Sequence, residues 1–270
     1  MSSRAGISMC GKEMIVEVLN SHYGSPGLLN YSESDDEIRF QLPAPITDPQ
    51  AAAFRSRAMV LNELAVSHRL SMLVGRAKYE LPDDFAFAIK SVESVVQSIE
   101  VVDEYDVSLR FEIITKRRDT ITAFKSTLVT EYGVEARTTT TSFNVLPPAL
   151  ANFVRRGRRF LDFADVKMSR DKSDLSTVAD NHFRYYPSED DRLSDGRRVD
   201  HVPALTLIDI ALFVNGMAHQ EAVSNLSAEF LNYTDPRIEF DILQKDGAME
   251  FVQNGRPVAI VQITANVPVS

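Results

Sequence analysis

The chain has 270 residues, 44% hydrophobic and 25% charged, a balance that allows a globular protein to bury a sizeable core. A formal net charge of −9 argues against a general nucleic-acid binder, which needs clustered Lys and Arg to face phosphates. The single cysteine, Cys10, excludes an intramolecular disulfide and a cysteine-built zinc site. The opening "MSSRAGISMCGKEMIVEV" lacks the apolar run of a signal peptide, and no stretch reaches the roughly 18–20 uninterrupted apolar residues of a membrane span. A cytoplasmic protein without a membrane span is expected.

Two strand-like runs come first, "MIVEVLN" (Met14 to Asn20) and "EIRFQLP" (Glu37 to Pro43). In "DPQAAAFRSRAMVLNELAVSHRLSML", Asp48 suits an N-cap and Pro49 the first helical position, and the alanines, leucines and methionines behind them favour a helix. Three long segments follow in which Val, Ile, Thr and Phe alternate with polar residues: "FAFAIKSVESVVQSIEVV", "YDVSLRFEIITKRR" and "DTITAFKSTLVTEYGVEARTTTTSFNVL". They read as antiparallel strands with one wet face.

The carboxy-terminal part repeats the order. A short strand, "HFRYYP", precedes a helix beginning near Pro203, and "NLSAEFLNYT", "RIEFDILQKDGAMEFVQ" and "RPVAIVQITANVPV" follow it. Asp246-Gly247 and Asn254-Gly255 sit between alternating runs, where both turn residues of a tight hairpin take positive φ. Pro203 follows Pro49 by 154 residues, so one architecture occurs twice with little residue identity. The break falls at "PPALANFVRRGRRF", giving modules 1–155 and 156–270, with a long charged loop or lid over about 170–199.

The second helix, in "VDHVPALTLIDIALFVNGMAHQ", is apolar nearly all round. Between Val202 and Ala218 its one charged residue is Asp209, flanked by two isoleucines. Such a helix is expected to be buried on most sides. A carboxylate within it must be hydrogen-bonded, paired or protonated, conditions that recur at catalytic sites. The bland alternative is a narrow wet stripe, since Thr206, Asp209, Gly216 and Gln220 share one side at helical spacing.

At this point the sequence resembles a family. "DHVPALTLID", with Asp200, His201, Pro203, Leu207 and Asp209, is similar to the signature of the A-factor synthase (AfsA-type) proteins, in which an Asp-His-x-Pro stretch leads into a central helix and its acid. "LSAEFLNYTDP" and "NGRPVAIVQITA" resemble the strands that follow there, and Asp48-Pro49 with its helix resembles the first module. The likeness in order spans nearly the whole chain; in residues it is specific around the second helix. It implies an α+β tandem (double) hot-dog, each half an antiparallel β-sheet wrapped around a long central α-helix. It also implies an acyltransferase that moves a β-ketoacyl group from an acyl carrier protein to dihydroxyacetone phosphate in γ-butyrolactone biosynthesis. No metal or redox cofactor is implied, the substrate arriving as a phosphopantetheine or CoA thioester. Where the family carries Glu, then Arg three residues on, then Gln, this chain has Asp209, Leu212 and Phe213 in the second helix, and by order Phe54, Arg57 and Ala58 in the first. Each half keeps one member of an acid–arginine pair. The histidine of hot-dog dehydratases has no counterpart, Asp195 being nearest by count, which disfavours dehydration.

On this reading Asp209 is the general base for a hydroxyl or water, and His201 either orients it or hydrogen-bonds backbone at the head of the helix. Arg57 is suited to a phosphate or carboxylate on a small-molecule acceptor, while Asp200, Leu212 and Phe213 would line the substrate site. The helix N-terminal end would stabilise the oxyanion. "RRGRR", with Arg155, Arg156, Arg158 and Arg159, could steer an acidic carrier protein or serve as a solvated linker. A monomeric pseudo-dimer or a homodimer is expected. The competing readings are a catalytically degenerate double hot-dog that binds an acyl thioester or acts as a scaffold, and a thioesterase. No phosphate-binding glycine loop, dinucleotide fingerprint or nucleophile elbow is present.

Overall fold

The computed structural model describes residues 12–13, 15–17, 30–34, 37–43, 64, 67–96, 104–132, 135–154, 161–162, 175–187, 198–199, 201–218 and 223–265. The chain forms two compact units, Met1–Ala151 and Asn152–Ser270.

In the first unit, β1 (Tyr31–Glu33) and β2 (Glu37–Pro43) precede helix α1 (67–78). Four long strands then follow: β3 (Ala86–Val96), β4 (Glu104–Arg117), β5 (Thr120–Tyr132) and β6 (Glu135–Leu146). The antiparallel order is β1-β2-β4-β5-β6-β3. Alternation sorts the faces: Phe124, Ser126 and Leu128 of β5 are buried, as are Thr139, Thr141, Phe143 and Val145 of β6. Leu70 and Val74 of α1 join Ile38, Phe40, Leu109, Phe111, Phe124 and Phe143 in one core. At Gly75 the helix lies close on the sheet, since a Cβ there would lie 3.0 Å from the Phe124 ring.

One expectation is overturned in this unit. The run Met14 to Asn20 was expected as a strand, yet residues 12–13 and 15–17 are helical and Ile15 is fully buried in the core. Ile15, Val18 and Leu19 have the i, i+3, i+4 spacing of a helical apolar face, with Glu13 and Glu17 four apart. Burial of Ile15 on that helical spacing outweighed the β-branched composition.

Helix α2 (Pro148–Val154) carries the chain into the second unit. There β7 (Leu161–Asp162), β8 (Leu175–Ala179), β9 (His182–Tyr185) and β10 (Arg198–Val199) lead to helix α3 (Ala204–Ala218). Then come β11 (Val223–Phe230), β12 (Phe240–Lys245), β13 (Ala248–Gln253) and β14 (Arg256–Ala265). The sheet runs β11-β14-β13-β12-β9-β8, all antiparallel, and β7 pairs with β10 in a separate short ladder. The stretch expected as a loop over about 170–199 thus contains a hairpin, β8–β9, on the sheet edge. Both hairpin turns have positive φ at each central residue: 51° and 78° at Asp246-Gly247, 53° and 69° at Asn254-Gly255. In β14 the register slips opposite Phe251 and Val252, leaving Val258 as an extra residue beside Pro257. A proline cannot donate to a ladder, and a bulge is where a strand tolerates one. The freed carbonyl of Val258 accepts the N–H groups of Leu231 (2.9 Å) and Asn232 (3.3 Å).

Candidate active site

Helix α3 begins where Pro203 ends the extended lead-in, whose carbonyl accepts the N–H groups of Thr206 (3.0 Å) and Leu207 (3.3 Å). Proline has no N–H to lose at such a start. The lead-in is held from the connection between β11 and β12: the Val202 N–H donates to Thr234 Oγ1 (2.9 Å), and that hydroxyl donates back to the Val202 carbonyl (3.3 Å). The His201 ring stands edge-on to Tyr233, with centroids 5.2 Å apart. Gln253, buried in β13, fixes the same connection. Its Oε1 accepts from the Asp235 N–H (2.7 Å), and its Nε2 donates to the carbonyls of Asp235 and Ile238 (2.8 Å each).

From Thr206 to Asn215 every α3 residue except Phe213 is buried, and the helix packs on β14. Asp209 is 1% exposed, between Ile208 and Ile210, neither of which reaches solvent. The wet-stripe alternative fails at its first two positions, since Thr206 is buried as well as Asp209; Gly216 is exposed and Gln220 lies outside the described residues. Of the residues expected at a site, Leu212 is buried on the same helix, Phe213 is partly buried, and His201 is half-buried at the helix head. Arg57, Asp200, Arg155, Arg156, Arg158 and Arg159 lie outside the described residues. Thr234, Tyr233 and Gln253 were not anticipated as groups that position the helix.

A second polar cluster lies on the other face of this sheet. Asp241, between buried Phe240 and Ile242, points away from the core and accepts at Oδ1 from His182 Nε2 (3.0 Å) and from Arg184 Nε (3.1 Å) and Nη2 (3.0 Å). The His182 hydrogen bond, aided by Arg184 and opposed by partial burial, holds the Asp241 carboxyl below the ordinary carboxylate range. Among the described residues, no three His, Cys, Asp or Glu side chains gather closely enough to hold a metal ion, and no helix is long and apolar enough to cross a membrane.

No protein-family model matches the chain. No curated protein matches it by sequence. Solved structures do. An acyl-ACP thioesterase from Bacteroides thetaiotaomicron aligns with a TM-score of 0.55 at 9% identity, covering 87% of this chain and 100% of that one. The 12:0-ACP thioesterase from Umbellularia californica aligns with a TM-score of 0.50 at 10% identity, covering 87% and 99%. Identity this low speaks to fold alone, and the fold it establishes for this chain is a hot-dog-like one.

Proposed function

We propose that the protein processes acyl thioesters, as a tandem hot-dog in which Asp209 is the general base. The observation that supports this most is the carboxylate itself: one acid, 1% exposed, on a largely apolar helix with no other charged residue in a hot-dog-like chain. Among titratable groups a carboxylate kept inside an apolar helix is expensive, and chemistry is a reason to keep it.

In this reading Asp209 removes a proton from the attacking hydroxyl. The oxygen adds to the thioester carbonyl, the C–S bond breaks, and the proton passes to the departing thiolate. The N-terminal end of α3 supplies backbone donors and the positive end of its dipole to the oxyanion. His201 orients the acid from the helix head, and Leu212, Phe213 and Asp200 belong to the substrate-binding wall. Arg57 holds the acceptor's phosphate, and Arg155, Arg156, Arg158 and Arg159 receive an acidic acyl carrier protein. The likeness of "DHVPALTLID" to A-factor synthases favours transfer of a β-ketoacyl group to a hydroxyl such as that of dihydroxyacetone phosphate. The structural likeness to acyl-ACP thioesterases favours water as the acceptor.

Mass spectrometry of the protein incubated with a β-ketoacyl carrier protein, with and without dihydroxyacetone phosphate, separates the two. Transfer yields free carrier thiol and an acyl ester only when the acceptor is present. Hydrolysis yields thiol and free acid in both cases. A carrier left fully acylated under both conditions contradicts the enzymatic reading and leaves an acyl-binding or scaffolding protein.

A further inference from the structure

Thr206 stands one helical turn before Asp209 on the same side of α3, and residues three apart on a helix have Cβ atoms about 5–6 Å from each other. Its side chain is 0% exposed and its Oγ1 has no hydrogen-bond partner among the described residues. A threonine inside a helix ordinarily satisfies its hydroxyl on a carbonyl three or four residues back. Here those carbonyls serve other donors: Val202 O receives the Thr234 hydroxyl, and Pro203 O receives two backbone N–H groups. The Thr234 hydroxyl, on a residue that is also buried, is satisfied twice. A buried hydroxyl without a partner weakens a fold, and its retention beside the acid calls for a partner that arrives from outside.

We propose that the Thr206 hydroxyl is a substrate-facing donor, which hydrogen-bonds the carbonyl oxygen of the acyl thioester while Asp209 activates the attacking group. This rests on the reading of Asp209 above. The bond strengthens as negative charge develops on that oxygen, so it acts on turnover more than on substrate affinity.

The test compares the full-length wild-type protein with Thr206→Val and Thr206→Ser, using a β-ketoacyl carrier protein, dihydroxyacetone phosphate and thermal unfolding without ligand. Valine keeps the shape and removes the hydroxyl. Its kcat is expected to fall on the order of a hundredfold with KM within about threefold, as for loss of one oxyanion donor. Its Tm is expected to stay or rise by on the order of 2–4 °C, because an unsatisfied buried group is gone. Serine restores kcat to within about fivefold, as a retained donor should. Equal kcat for valine and wild type overturns this inference alone, leaving Asp209 in place. A valine variant that loses stability marks a structural hydroxyl or a bound water and also overturns it. A wild-type protein that consumes no thioester, with or without acceptor, overturns the reading of Asp209 and this inference with it.

Discussion

Helix α1 of the first unit and helix α3 of the second each lie against an antiparallel sheet, yet they present different chemistry to it. Helix α1 meets a wall of rings: Phe124 stacks on Phe143 with centroids 5.0 Å apart, and Tyr79, Phe87 and Phe111 close around them. Nearer its start Ser126 Oγ donates to Ser71 Oγ and Ser71 Oγ to the Ser67 carbonyl, while the buried Ser67 hydroxyl, like that of Thr206, has no partner among the described residues. Helix α3 is buried on nearly every side, including Asp209 and the Thr206 hydroxyl, and is pinned at its head by Thr234, in a connection that Gln253 holds. The first arrangement is built for packing. What sets the second apart is a buried carboxylate, a group that packing alone would not select and that is expected where a fold gives up stability for chemistry.

Substitutions sharpen that contrast. The largest effect on folding is expected from Gln253→Ala in the second unit, which strands the Asp235 N–H and the carbonyls of Asp235 and Ile238. A loss of about 2–4 kcal/mol in denaturant unfolding is expected, and a loss under about 1 kcal/mol would show that the β11–β12 connection is held otherwise. In the first unit Gly75→Ala should cost about 1–2 kcal/mol. The new methyl meets Phe124 at 3.0 Å and Phe111 at 3.4 Å, and a stacked, fully buried ring has no room to yield. The same change at Gly216 should instead stabilise by about 0.5–1 kcal/mol, because nothing among the described residues lies within 4 Å of the added carbon and alanine is the better helix former. Opposite signs at the two glycines, read from paired melting curves, would support the contrast; equal signs would break it.

The smallest effect concerns pH. The depressed carboxyl of Asp241 contributes stability above its ordinary titration range, lost as pH falls through that range toward its lowered value. The wild-type advantage over Asp241→Asn should therefore be present near pH 7 and shrink below about pH 4. With 36% of the side chain exposed, solvent screening keeps the difference small. In the first unit Glu37 repeats the device, held below the usual range by the Arg110 hydrogen bond first, then Arg39. An advantage that grew toward acid would contradict the ion-pair assignment.

Much of the strand plan was legible because period-two alternation and the Asp-Gly and Asn-Gly turns are local signals. The start of α3 at Pro203 and the burial of Asp209 were legible for the same reason, one charge in an apolar stretch. Residues 15–17 were misleading because their β-branched composition favours a strand while the apolar spacing around them is helical. Strand β8 was illegible: of Leu175–Ala179 only Leu175 is buried, so an edge strand held by backbone pairing to β9 looks like loop. The clasp on the α3 head was illegible too, since Thr234 lies 32 residues beyond Val202 and Gln253 18 beyond Asp235. No spacing rule joins such distant partners; only the folded sheet does.

The account turns on the acid inside α3, and Asp209→Asn tests it most directly, because the amide keeps the shape and cannot accept the proton. With a β-ketoacyl carrier protein and acceptor, and folding verified by thermal unfolding, turnover should fall by on the order of a hundredfold or more while the fold is retained. Turnover equal to that of the wild-type protein would remove Asp209 from the chemistry.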